Sequence, residues 1–148
     1  MSLPNKFVEA LLHGDLKSAK QLLSGGIDIN RTYEPLGWTA LHYTIENMML
    51  DSAQWLLENG ANPNQKDSSG WTPLHLAVDV EGDYSTRSRI ETDADHAPVE
   101  LTRLLLKNGA DPNAVSDKGQ TPISLARRYL HTQAVDLLEQ SGARDNKA

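Results

Sequence analysis

Gly37-Trp38-Thr39-Ala40-Leu41-His42 returns 33 residues later as Gly70-Trp71-Thr72-Pro73-Leu74-His75. A third, degraded copy stands at Gly119-Gln120-Thr121-Pro122-Ile123-Ser124. A second string closes each unit: Leu56-Leu57-Glu58-Asn59-Gly60-Ala61-Asn62-Pro63-Asn64, then Leu105-Leu106-Lys107-Asn108-Gly109-Ala110-Asp111-Pro112-Asn113. Looser versions begin at Leu22 and Leu137. Self-similarity at a fixed period is read before any single element, because it sets the architecture. The chemistry of each position is local. Thr39, Thr72 and Thr121 offer a side-chain oxygen where a helix begins, and Pro73 and Pro122 follow at the first helical position, where a missing N–H costs nothing. Gly60, Gly109 and Gly142 follow leucine pairs, where a helix ends on a left-handed residue. The Asn-Pro or Asp-Pro that comes next stops the helix and starts an extended finger.

Composition agrees with this reading. Leucine and alanine supply 35 of the 148 residues, against 11 valines and isoleucines and one phenylalanine, a balance that favours helix over sheet. No apolar run exceeds three residues, which excludes a membrane-spanning helix and a signal-peptide core. With no cysteine there is no disulfide, thiol catalyst or cysteine-bound zinc, and a reducing, cytoplasmic setting is expected. The formal charge of −6 argues against wrapping nucleic acid through a broad basic face.

The two strings resemble the ankyrin repeat, over nearly the whole chain and in four units. The resemblance implies an all-α solenoid of stacked helix–turn–helix units joined by β-hairpin fingers, slightly curved, with a concave face where partners bind. It implies a single domain over 1–148, with repeats at about 3–33, 34–66, 67–115 and 116–148. His42 and His75, which would look like catalysts in isolation, become hydrogen-bonding staples between adjacent units. Asn64 and Asn113 are similar to the finger asparagines that are hydroxylated in animal members of the family. The end units differ: Val8 falls where the first histidine would stand, and Ser124 where the last would.

Function on a repeat scaffold is sought where the pattern departs, since matching positions are explained by folding. From Gly26 to Gly60 is 34 residues, so the first finger is one residue longer and is expected to carry Tyr33 at or near its tip. The larger break is in the third unit, where Gly70 to Gly109 spans 39 residues against 23 for Gly37 to Gly60. The 16 extra residues fall at about Glu81 to His96, between the inner and outer helices, and hold half the chain's net charge. Such a loop is either a tolerated surface insertion or a partner contact. In the second case Tyr84, Arg87 and Arg89 are its expected anchors, because tyrosine and arginine dominate interface energies. Asp95 or His96 is expected to cap the outer helix.

No catalytic, metal or cofactor site is expected. The acidic run Asp79 to Asp83 lacks the spacing of a calcium loop and reads as a solvated charge run. Asp93, Asp95 and His96 read as cap and solvent, and no nucleophile–base pair is present. Trp38 and Trp71 occupy one finger position in neighbouring units, either shielding the fingers or forming a two-ring ladder for a partner. On the inner helices Tyr43 and Leu76 follow the histidines, with Glu46, Asp79 and Arg128 three residues further on, so a groove with an acidic flank is expected.

The functional expectation is a monomeric, non-enzymatic protein-binding module, acting through its concave face, its fingers and the acidic inter-helix loop on a partner with a basic surface. Read as a whole small protein, its output would be masking, inhibition or bridging. A narrower alternative is an inhibitor of the immunity or antitoxin type; a remote one is a metal protein or enzyme built on the insertion.

Overall fold

The computed structural model describes residues 5–88 and 98–144, the side chains of 85–88 excepted. Among these residues lie eight helices: α1 Lys6–Leu12, α2 Leu16–Ser24, α3 Ala40–Glu46, α4 Leu50–Glu58, α5 Pro73–Ser88, α6 Glu100–Lys107, α7 Pro122–Arg128 and α8 Thr132–Gln140. They pair as α1/α2, α3/α4, α5/α6 and α7/α8, and the pairs stack through the first member of each, α1 on α3, α3 on α5 and α5 on α7. The expected all-α solenoid of helix–turn–helix units is therefore what the chain forms. Its fingers are built from turns rather than strands, the described antiparallel bridge being that between Tyr33 and Trp38.

The period explains the packing. Leu41, Leu74 and Ile123 start the inner helices, Leu56, Leu105 and Leu138 sit on the outer ones, and all six are fully buried. Each fills the space between one unit and the next, so truncating one to alanine would cost about 2–5 kcal/mol. The helix starts follow the threonines. Thr121 accepts from the Ser124 N–H (3.3 Å) while the Ser124 hydroxyl accepts from the Thr121 N–H (3.0 Å), a reciprocal cap. At Thr39 and Thr72 the histidine Nδ1 takes the serine's part, accepting from the threonine N–H at 3.1 Å in both units. The outer helices end as expected, with Gly60, Gly109 and Gly142 at positive φ.

The third unit corrects the expectation of a loop beginning at Glu81. Residues 81–88 instead continue α5 as helix, making it 16 residues long where α3 and α7 have seven. The charge run is not solvated throughout: Glu81 is 1% exposed. Its carboxylate reaches the start of α6, accepting from the N–H groups of Leu101 and Thr102, each at 3.0 Å, and from the Thr102 hydroxyl at 2.6 Å. These are the orphan donors of a helix N-terminus, and the residue at the cap position, Val99, has no side-chain acceptor for them. A neighbouring helix thus does the work expected of Asp95 or His96, which lie outside the described residues. Gly82 is required by close approach, since a Cβ there would come within 2.5 Å of the Tyr129 ring. The insertion therefore packs against the fourth unit at its start.

Candidate functional site

Two connected clefts run across the inner helices. The first, about 660 Å³, lies between the fingers and the inner layer, with Leu36, Trp38, Trp71 and Gln120 on one side and Glu46, Leu76 and Asp79 on the other. The second, about 560 Å³, is lined by Glu46, Met48, Asp79, Asp83, Tyr84 and Tyr129. Glu46 and Asp79 belong to both, so the two form one continuous groove.

The finger wall is held by bonds between units. The Ser68 N–H donates to the Leu36 carbonyl (3.0 Å) and the Asp117 N–H to the Ser69 carbonyl (3.1 Å), so each finger rests on the one before it. Trp38 donates its indole N–H to Asp67 (3.2 Å) and Trp71 donates to Gln120 (3.1 Å), each again reaching the next unit. Both indoles are half-buried and stack on the histidine of their own unit, with centroids 6.3 Å apart for Trp38–His42 and 5.8 Å for Trp71–His75. Because Nδ1 of each histidine accepts from a backbone N–H, Nε2 carries the proton and donates onward. His75 reaches the Gln120 carbonyl at 2.8 Å, whereas His42 is a longer 3.4 Å from that of Trp71. Burial, which disfavours the charged ring, is the main cause holding both histidines below their ordinary pKa. They are neutral structural staples.

Electrostatics single out the middle of the groove. Glu46 is raised above the ordinary carboxylate range by partial burial and by the charges of Asp79 and Asp83. Tyr129 donates its hydroxyl to Asp79 at 2.7 Å. Burial first, then that bond and the Asp79 and Asp83 charges, push its phenol to about 12. Three carboxylates share this stretch, and among the described residues neither Glu46 nor Asp79 forms an ion pair.

The residues singled out from sequence are not all placed alike. Glu46, Asp79 and Tyr84 line the groove, Tyr84 being 51% exposed on helix α5 rather than on a loop. Trp38, Trp71 and Tyr43 are half-buried around it, with Tyr43 edge-on to Trp38 at 5.1 Å. One placement needs correction. Tyr33 is not at an exposed finger tip: it is 7% exposed, pairs with Trp38 and accepts a hydrogen bond from Asn5 (2.7 Å), because the turn over 34–37 carries the extra residue beyond it. Leu76, 5% exposed, forms the floor of the cleft. Arg128 is exposed beside Tyr129. Arg89 lies outside the described residues, as does the side chain of Arg87. Sequence reasoning missed Met48, Asp83 and Tyr129. Only the helical continuation of α5 brings Asp83 to Glu46, and no motif marks that continuation.

The finger asparagines form a ladder between units. Asn64 donates to the Gly109 carbonyl (3.0 Å) and accepts from the Asp111 N–H (2.7 Å), and Asn113 repeats both bonds to Gly142 and Arg144. Among the described residues no group of three His, Asp or Glu side chains is placed to hold a metal ion. No described helix is long and apolar enough to cross a membrane.

Comparison with known proteins agrees with this geometry. A family model described as ankyrin repeats (3 copies) matches residues 7–86, and a single ankyrin repeat model matches residues 69–117. The chain belongs to the ankyrin repeat family. It is 33% identical over 73 residues to the mouse (Mus musculus) 2-5A-dependent ribonuclease, covering 49% of this chain and 10% of that protein. It is 38% identical over 74 residues to a Rickettsia felis protein named for its ankyrin repeats, covering 50% of this chain and 24% of that one. It is 32% identical over 71 residues to the mouse protein phosphatase 1 regulatory subunit 27, covering 48% of this chain and 46% of that one. In each case the match spans less than half of the relative's length. Ankyrin repeats are a protein–protein interaction fold and generally not an enzymatic one.

Proposed function

We propose that this chain is a non-enzymatic binding module that takes a protein partner in the groove between its fingers and inner helices, and that the partner surface is basic. One observation carries the reading: the groove presents Glu46, Asp67, Asp79 and Asp117 around half-buried tryptophans, with Lys118 as the cation among its lining residues. Inter-unit bonds hold Asp67, Asp79 and both tryptophans in place beforehand, so little ordering entropy is lost on binding, while the charge sets on-rate and specificity. The protein acts as a cytoplasmic monomer. Its contacts are Trp38, Tyr43, Glu46, Trp71 and Asp79, with Tyr84 at the far end and Arg128 beside Tyr129. A second reading, masking of an enzyme, draws support from the relative that is named a phosphatase regulatory subunit.

The test is charge reversal at two exposed positions, Glu46→Lys with Asp117→Lys. A stoichiometric complex with a basic protein, captured by the wild-type domain, should weaken at least about tenfold by calorimetry while the melting curve stays in place. Equal affinity of the reversed variant would remove the groove as the binding site.

A further inference from the structure

Among the described residues, the large apolar side chains left exposed divide between two edges of the solenoid. Leu36 and Val115 lie on fingers; Met48 and Leu130 lie at the opposite edge, just beyond the ends of α3 and α7, and Tyr84 lies on the prolonged part of α5, one to each successive unit. Met48 and Leu130 occupy the same turn position. Each follows the helix cap, and each donates its N–H to the carbonyl three residues back, at 2.9 and 3.0 Å. Both are left-handed, at φ +54° and +55°, where the first unit has Gly14 at +72°. A left-handed position favours glycine, and these side chains are 37% and 67% exposed. Folding therefore does not account for a large apolar residue at either place. The third unit has no short turn here, but its prolonged α5 carries the row onward through Tyr84, and Met48 and Tyr84 line one cleft. Beside Met48 and Tyr84 stand the carboxylates of Glu46, Asp79 and Asp83, while Leu130 lines a separate hollow with Arg127, Val135 and Asp136.

We propose that this turn edge is a docking surface for a basic amphipathic helix of a protein partner, with apolar side chains over Met48, Tyr84 and Leu130 and lysine or arginine over Glu46, Asp79 and Asp83. It is the far end of the groove, shares Glu46 and Asp79 with the finger-side cleft, and rests on the reading of that groove as a site for a basic protein partner. Charge complementarity sets the sign of the occupant, since an anionic membrane or nucleic acid would be repelled by the same carboxylates. A helix suits the edge better than an extended segment. No strand lies there among the described residues to satisfy an extended backbone, whereas a helix satisfies its own. The pitch also matches: apolar residues seven apart on a helix rise about 10.5 Å, close to the roughly 8–10 Å between packed helices.

The probe is a fluorescent synthetic helix of about 18 residues with leucine on one face and lysine elsewhere, read by anisotropy at low and high salt. Its counterpart carries glutamate for lysine. The lysine peptide should bind saturably, weaken in high salt and bind at least about tenfold less well to Met48→Gly with Leu130→Gly, and to Tyr84→Ser. Glycine is at home at positive φ, so the double variant keeps its fold, with an unchanged melting curve as the control. Leu36→Ser should bind as wild type does. Equal binding by the double glycine variant, equal binding of the glutamate peptide, or loss confined to Leu36→Ser would each overturn the proposal. The last result would still leave the finger-side cleft as the site.

Discussion

The buried carboxyl of Glu81 should make the domain less stable as pH rises. Burial pushes its pKa from 4.5 to about 7, against the hydrogen bonds from Thr102 and Leu101 that pull it down. Because the folded value lies above the unfolded one, the folded chain binds the extra proton between them. The stabilising contribution is therefore fully present below the unfolded pKa and lost as pH passes through the folded value. At about 1.4 kcal/mol per pH unit, the difference amounts to about 3 kcal/mol in all and about 2.5 kcal/mol between pH 5 and 8.5. Urea unfolding of wild type and Glu81→Gln across that range isolates the effect, since subtraction cancels every other titrating group. A glutamine accepts through one oxygen only, so one α6 donor faces an NH₂ group and the variant carries a penalty of about 1–3 kcal/mol at every pH. The variant should be the less stable protein at the acid end, and the difference should shift by about 2.5 kcal/mol in its favour toward the alkaline end. A gap constant to within about 0.5 kcal/mol would refute the reasoning, because Glu81 would then titrate alike in the folded and unfolded chains.

Two further outcomes follow from the same contacts. Replacing His75 by phenylalanine should cost more than replacing His42, by about 1 kcal/mol in chemical denaturation, because the His75 bond to the next finger is the shorter of the two. Both histidines have folded pKa values below the ordinary one, so their contribution is present above the unfolded pKa and lost as pH falls through the folded value; each variant should flatten acid unfolding. Gly82→Ala should lower stability by about 1–3 kcal/mol, although alanine is the better helix former, because its methyl group would meet the Tyr129 ring. A raised melting temperature in that variant would mean that the ring moves aside freely.

Much of the fold was legible because it is periodic. A cap at Thr72, a proline at its first turn and a left-handed glycine after a leucine pair are short-range signals, and three recurrences leave little room for another architecture. The staple role of His42 and His75 came from the family resemblance, and the structure adds the geometry, with one nitrogen capping its own helix and the other reaching the next finger. Ser124 makes only the capping half, having no second donor to send onward. The candidate groove was half legible: Leu76, Glu46 and Asp79 were found by register on the inner helices and line the cleft, whereas Tyr33 was placed at an exposed tip and lies inside. The error at Tyr33 has a physical cause, since a residue's exposure on a stacked repeat depends on what the neighbouring unit puts against it.

The insertion shows where local information runs out. By itself the sequence determined four stacked helical units, a break of 16 residues in the third and a concentration of negative charge there. Only the tertiary structure decided that the break begins as helix, that one of its acids is buried at the end of another helix, and that Gly82 lies under Tyr129. Repeat positions are specified by neighbours in the chain and recur with the period. Glu81 is specified by two backbone N–H groups twenty residues away that lack a cap of their own, and only the packed fold brings the carboxylate to them.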